Sequence, residues 1–213
     1  MSIVVEVTAV NPARRRTPRN QVRVRILRAA MSVFADRGFA GATIDAIAES
    51  AGFTKGAVYS NFGSKDDLFF ALLDQQISHR HEMVTELVED AGARPSPKAV
   101  GELLMAELLD NRDWQMLFVE YWLRAMRDPD LRQRFVEHRR AVRASIGDAV
   151  RHLAFESDVT PASITVLVLA LSNGLSIEEF IDPGTVPPDL FGAVLDALTT
   201  TRSNPANGSD RGA

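Results

Sequence analysis

Between residues 43 and 65 the sequence gathers side chains suited to phosphate and base-edge recognition rather than to covalent chemistry. Thr43, Thr54 and Ser60 bring hydroxyls to helix starts or exposed turns, where they and adjacent N–H groups can hold phosphate oxygens. Lys55 carries an ammonium able to read a guanine edge or to pair with a phosphate. Gly56 sits in a helix start, where it costs about 1 kcal/mol against alanine. Close approach of the backbone to nucleic acid and plain tolerance near a helix end are equally good reasons for it. The two threonines suit simple N-capping as well, and both roles can coexist.

Catalytic patterns do not compete with this reading. His79 and His81 are two residues apart, on different helix faces, and His138 and His152 are too far apart in sequence to share a metal. The chain has no His-Glu-x-x-His, no Gly-x-Ser-x-Gly and no phosphate-cradling glycine loop after a strand. Cysteine is absent, which excludes disulfides and thiolate metal sites. An enzyme is not expected, nor is any cofactor or metal.

The elements that must position these residues are helices. From Gln21 an apolar stripe runs through Val22, Ile26, Leu27, Ala30, Val33 and Phe34, the spacing of one helix face, and Gly38 is expected to end it. Thr43 opens a second, short helix that Gly52 stops, and Thr54 opens a third that runs to Phe62 and stops at Gly63. Small Ala48, Gly52 and apolar Val58 follow one another as two closely crossing helices require, which suggests a helix-turn-helix, although a plain αα-corner satisfies the same pattern. Ser64-Lys65-Asp66-Asp67 is a capping box that opens a long helix.

Beyond a break at 91–95, the pairs Ser96-Pro97, Asp128-Pro129 and Thr160-Pro161 each place a cap before a proline at the first helical position. A further break is expected near 109–112. The segment after Thr160 is apolar almost all round, and a last helix carries Leu190, Phe191, Val194, Leu195 and Leu198. These signals predict an all-α chain of about nine helices. Residues 1–18 form an expected disordered basic arm, 19–65 the helix-turn-helix unit, 66–201 a larger helical domain, to which the resemblance described below gives effector binding and dimerisation, and 202–213 a disordered tail.

The block Thr43-Ile44-Asp45-Ala46-Ile47-Ala48, then Ala51-Gly52-Phe53-Thr54-Lys55-Gly56-Ala57-Val58-Tyr59, Phe62 and Lys65-Asp66-Asp67-Leu68, resembles the signature of the TetR family. The match is dense over about a quarter of the chain; the remainder agrees only in length and helical layout. The resemblance implies that residues 54–60 are a recognition helix lying in the major groove. It also implies that Tyr59 and Lys65 touch phosphates; a Tyr packed at the helix junction and a solvated lysine are the bland alternatives. Asn61 stands where the family usually has a histidine, and its amide is expected to donate to a phosphate in the same way. The resemblance assigns the last two helices to a homodimer interface, burial in a larger core of the same chain being the alternative. Such a dimer would read a palindromic operator on double-stranded DNA, with half-sites about 34–36 Å apart or slightly more. It further implies a small-molecule effector in the central region, with Met105, Phe118, Tyr121 and Trp122 as candidate contacts, although an aromatic stripe is more often core than pocket. Most relatives repress, and repression is the expected mode.

Charge distribution agrees with one polyanion-facing end. The chain carries a net −4, yet residues 1–65 hold ten Lys or Arg against four acidic residues, net +6, leaving −10 on the rest. Arg14, Arg15, Arg16 and Arg19 suit either an arm reaching the minor groove or a solubilising tail. No run of about 18 uninterrupted apolar residues appears, so no transmembrane helix is expected. The apolar residues near the N-terminus precede the arginines, against the order of a secretory signal, and the protein is expected in the cytoplasm with no membrane partner. The rival class is a peripheral, lipid-binding helical protein, which would need a basic amphipathic helix with large exposed apolar residues.

Overall fold

The computed structural model describes residues 18–90, 95–152, 157 and 159–199. The basic arm before residue 18, the break at 91–94 and the tail after 199 lie outside the described residues. Among the described residues the chain forms nine helices and no strand.

The helices begin and end where side chains can satisfy their backbone. α1 (Arg19–Gly41) buries Ile26, Ala29, Ala30, Val33 and Phe34, the face marked by the apolar stripe. Gly38 does not end it outright: at φ 67° and ψ 169° it breaks the helix, and a short further turn carries Phe39 back into the core. α2 (Ile44–Ala51) and α3 (Lys55–Phe62) are capped by the hydroxyls of Thr43 and Thr54. In α4 (Lys65–Asp90) the Ser64 hydroxyl accepts from the Asp67 N–H at 3.0 Å and donates to the Asp67 carboxylate at 2.7 Å. Caps of this kind are each worth about 1 kcal/mol.

All three Xaa-Pro signals open helices: α5 (Pro97–Asp110), α7 (Pro129–His152) and α8 (Pro161–Ile181). α6 (Arg112–Arg127) follows α5 across a break at Asn111, and α9 (Leu190–Thr199) closes the described chain. The loop before α9 is pinned by Glu179, whose carboxylate accepts from the N–H groups of Gly184 and Val186 at 2.8 and 3.0 Å.

The apolar interior falls into two clusters. The first unites α1, α2, α3 and the N-terminal half of α4 with α6 and the start of α7, so the DNA unit and the body share one core. The second lies among α5, α8, α9 and the C-terminal end of α7. α5 and α9 cross so closely that a Cβ on Gly192 would stand 2.4 Å from the Lys98 carbonyl oxygen, and one on Gly101 would stand 2.6 Å from the Gly192 Cα. The sequence expectation of no transmembrane helix is not overturned by α8, which is long and apolar enough to cross a membrane by length and composition only, a test that a core helix also passes. That expectation counted uninterrupted apolar residues; Ser172, Asn173 and Gly174 interrupt the run without making the helix polar on average.

Candidate nucleic-acid interface

α2 and α3 meet at a tight corner. Gly52 adopts the left-handed conformation at φ 70°, and the Phe53 N–H returns to the Ala48 carbonyl at 2.9 Å. α3 then turns Val58 and Phe62 inward, 1% and 6% exposed. Helical geometry sends Lys55, Gly56, Tyr59 and Ser60 to the opposite side, where all four are exposed. Tyr59, 46% exposed, is not packed at the helix junction. A Cβ at Gly56 would meet only the Thr54 hydroxyl oxygen, at 3.8 Å, so nothing within the described chain requires a glycine there.

Lys55 also bridges the two helices, its ammonium lying 2.9 Å from the Asp45 carboxylate. The hydrogen bond and the charge of Asp45 raise its pKa, so it is fully cationic at neutral pH. The Ser60 hydroxyl donates to the Ala57 carbonyl at 3.0 Å and leaves its oxygen lone pairs outward.

Two expected phosphate contacts are differently employed. The Asn61 amide nitrogen donates back to the Ala57 carbonyl at 2.8 Å, and its side-chain oxygen is buried without a partner. Lys65 sends its ammonium under the end of α1, to the carbonyls of Phe39 at 2.7 Å and Ala42 at 2.8 Å, and across the Phe39 ring. Burial first, and then the charge of Arg124, lowers its pKa. Lys65 thereby ties α4 to the end of α1, whose unpaired carbonyls attract the nearest donor, whereas the Asn61 bond stays within α3.

Sequence reasoning missed two further stitches. Arg23 donates to the Asn61 carbonyl at 2.7 Å and lies over the Phe62 ring, while Arg25 donates to the Ala51 carbonyl at 3.0 Å and lies over the Phe53 ring. Each cation sits at a helix C-terminus, where the macrodipole favours it. Their spacing gave no signal: two residues apart on a helix they point to different sides, and their acceptors lie 38 and 26 residues away in the chain.

The aromatic run of α6 joins this unit to the body instead of lining a pocket. Tyr121 stacks on Phe69 with ring centroids 3.7 Å apart and donates its hydroxyl to Asp66 at 3.0 Å. Burial, together with the Asp66 charge, raises its pKa well above the usual phenol range. Phe118 and Trp122 pack around the same centre. A cavity of about 160 Å³ lies elsewhere, among α4, α5, α7, α8 and α9. Its wall includes Leu104, Val150, Ile164, Val168, Phe191 and Leu195, and none of the four residues expected to touch an effector. Phe118, Tyr121 and Trp122 belong to the first core, and Met105 is buried in the second, beside the cavity but outside its wall. Large rings gain most where they are buried, which drew Phe118 and Tyr121 into the core and laid Trp122, partly buried, against it.

A helix-turn-helix with one face buried and one basic, hydroxyl-bearing face exposed, joined to a larger helical body, defines a DNA-binding transcription regulator. Residues 26–72 match the family model for bacterial regulatory proteins of the tetR family, and residues 93–202 match that for the C-terminal part of BetI-type transcriptional repressors. The chain is 30% identical over 158 residues to the HTH-type transcriptional repressor AcnR of Corynebacterium efficiens, covering 71% of this chain and 76% of that one. Among solved structures, GusR of Salmonella enterica superposes with a TM-score of 0.64 at 21% identity, covering 84% of this chain and 95% of that one. FadR of Bacillus subtilis, in complex with stearoyl-CoA, gives 0.63 at 16% identity, covering 83% and 97%. The chain belongs to the TetR family of transcriptional regulators. It is a regulator and not an enzyme.

Proposed function

We propose that this chain is a cytoplasmic repressor that binds a palindromic operator as a homodimer and is released by a small-molecule effector. The observation that carries the DNA reading is the outer face of α3. Lys55, Tyr59 and Ser60 stand on it around a glycine that the chain itself does not need, as a surface meant to lie against a duplex would have them. The hydroxyls of Thr43 and Thr54 flank it at two helix N-termini, where phosphates are favoured.

The dimer reading draws on α8. Its inner residues Ile164 and Val168 are buried, while Val166 and Leu167 are 56% and 36% exposed, so one apolar side lacks a cover within the described chain. Packing α8 and α9 against their symmetry mates would bury it in a four-helix bundle. Repression follows the similarity to AcnR, and release by an effector follows the partly open, mainly apolar cavity and the liganded FadR structure. The peripheral-membrane alternative needed α1 to present its apolar side outward, yet Ile26, Ala30, Val33 and Phe34 are all buried.

Selection of bound duplexes from a random DNA library at near-physiological salt tests the proposal. Enrichment of a palindrome with half-sites about one turn apart is expected. Recovery of no preferred sequence, with only salt-sensitive weak binding, would overturn it.

A further inference from the structure

We propose that the cavity takes a compact apolar monocarboxylate, its ring or short chain against the aliphatic wall and its carboxylate on Arg80. The inference rests on the effector reading above and gives that effector a chemical class.

Size sets the first limit. A cavity of about 160 Å³ is close to the engineered apolar void of about 150 Å³ that binds benzene, and well below the several hundred cubic ångströms of a drug-sized site. The occupant is therefore of ring or short-chain bulk. The wall sets the second. Helices α4, α5, α7, α8 and α9 line it mainly with Ile, Val and Leu, with the hydroxyls of Ser145, Ser172 and Thr199 among them, and Phe191 is the one Phe, Tyr or Trp among the lining side chains. A quaternary cation would seek several aromatic faces or a free carboxylate, and this wall offers neither.

Arg80 sets the third limit. It is the wall's one guanidinium, and it is tethered by its Nε to the buried Glu107 carboxylate at 2.8 Å. Glu107 is further held by Asn111 at 3.4 Å, so its charge is already committed. The Arg80 Nη2, by contrast, meets no acceptor; it is covered on the cavity side as well, so the partly exposed guanidinium (28%) has to turn about its Nε tether to present it to a ligand. A desolvated N–H donor on a cation is the group that gains most from an incoming carboxylate. A single guanidinium already facing one carboxylate suits one more charge, and not a polyanion. His81, also in the wall, is exposed to solvent.

The position of Arg80 gives the ligand a lever. It stands on α4, the helix whose first turn carries Lys65, Asp66 and Asp67, bonded to the end of α1, to α6 and to α7. A carboxylate drawing on Arg80 acts on the same rigid rod that anchors the DNA unit.

The test is calorimetric titration of the full-length protein, without DNA, using three probes of similar bulk: benzoate, benzyl alcohol and benzyltrimethylammonium. Benzoate is expected to bind at least tenfold more tightly than benzyl alcohol, and the ammonium to give no heat. Arg80→Met leaves Glu107 uncompensated, so the double variant Arg80→Met with Glu107→Gln is measured beside it. Both are expected to retain helicity by circular dichroism, and the double variant to bind benzoate no better than benzyl alcohol. Equal affinity of wild type for benzoate and benzyl alcohol, tighter binding of the ammonium, unchanged benzoate affinity in the double variant, or no binding of any probe would each overturn the proposal. Operator affinity measured separately with benzoate present keeps the two readings apart. Benzoate that binds through Arg80 without loosening DNA sinks the effector role and leaves the carboxylate site standing.

Discussion

The Glu120 carboxylate, on α6, accepts hydrogen bonds from the backbone N–H groups of both Phe39, at 2.7 Å, and Ala40, at 3.0 Å. These two donors belong to the turn opened by the positive φ of Gly38, and they have no carbonyl of a preceding full turn to receive them. A side chain from the body thus completes the end of a helix in the DNA unit. Lys65 works on the same turn from the opposite sense, taking its carbonyls. Replacing Glu120 by alanine leaves the Phe39 N–H half-buried and unpaired, and is expected to cost about 1–3 kcal/mol. A urea unfolding midpoint unchanged from wild type would remove this contact from the account of how the two units are joined.

Lys55→Ala and Tyr59→Ala are each expected to weaken operator binding while leaving helicity and oligomeric state as they are. Both side chains are exposed and contribute little to packing. Loss of Lys55 should also flatten the salt dependence of binding by about one ion, if its ammonium meets a phosphate. Wild-type affinity in both variants would mean that α3 does not face DNA.

Gly192→Ala probes the α5–α9 crossing. Its Cβ would stand 2.4 Å from the backbone carbonyl of Lys98, which cannot swing aside as a side-chain tip can. Overpacking of this kind costs about 1–3 kcal/mol, and for a chain of this size each kcal/mol lowers the melting temperature by about 2–4 °C. Differential scanning calorimetry reads the shift; a melting temperature equal to wild type would show that the two helices can part without cost.

Val166→Glu places a charge on the uncovered side of α8, where Val166 is 56% exposed. In a lone chain the change is expected to be nearly neutral for stability, as surface substitutions are, within about 0.5 kcal/mol. In the proposed dimer it would bury an unpaired carboxylate and drive the chain to monomer. Sedimentation equilibrium distinguishes the two, and a dimer that persisted unchanged would move the interface away from this face.

Asp67 gives a pH dependence. Burial pushes its pKa up, but hydrogen bonds from the Ser64 hydroxyl and from Arg134, with the Arg134 charge, outweigh that and hold it below the ordinary value of 3.8. A depressed folded-state pKa means that the stabilisation is complete above the unfolded value and disappears as pH falls through the folded one. The difference in urea midpoint between wild type and Asp67→Asn should therefore be constant from neutrality to about pH 5 and should close below about pH 4. A difference that persisted undiminished to pH 2 would mean that the carboxylate charge contributes nothing there.

The sequence by itself determined the helices and the corner that presents α3. Caps, glycines and apolar stripes act over one to four residues, so Thr43, Gly52, Thr54, Ser64 and the three Xaa-Pro starts were legible one by one. The alternation of Val58 and Phe62 with Lys55 and Tyr59 likewise stated which side of α3 would face out. Only the tertiary structure decided where the long side chains spend their polar ends. Lys65 and Asn61 carry the right groups for phosphate, but their partners are carbonyls, which for Lys65 lie more than twenty residues away. The cavity was hidden for the same reason. Its wall is assembled from three or four residues of each of five helices, and the conspicuous aromatic run of α6 lies in the core that joins DNA unit to body. Local pattern fixes a helix and the direction of its faces; which face meets a void, a core or a partner depends on contacts between residues far apart in the chain, and those are settled only when the helices pack.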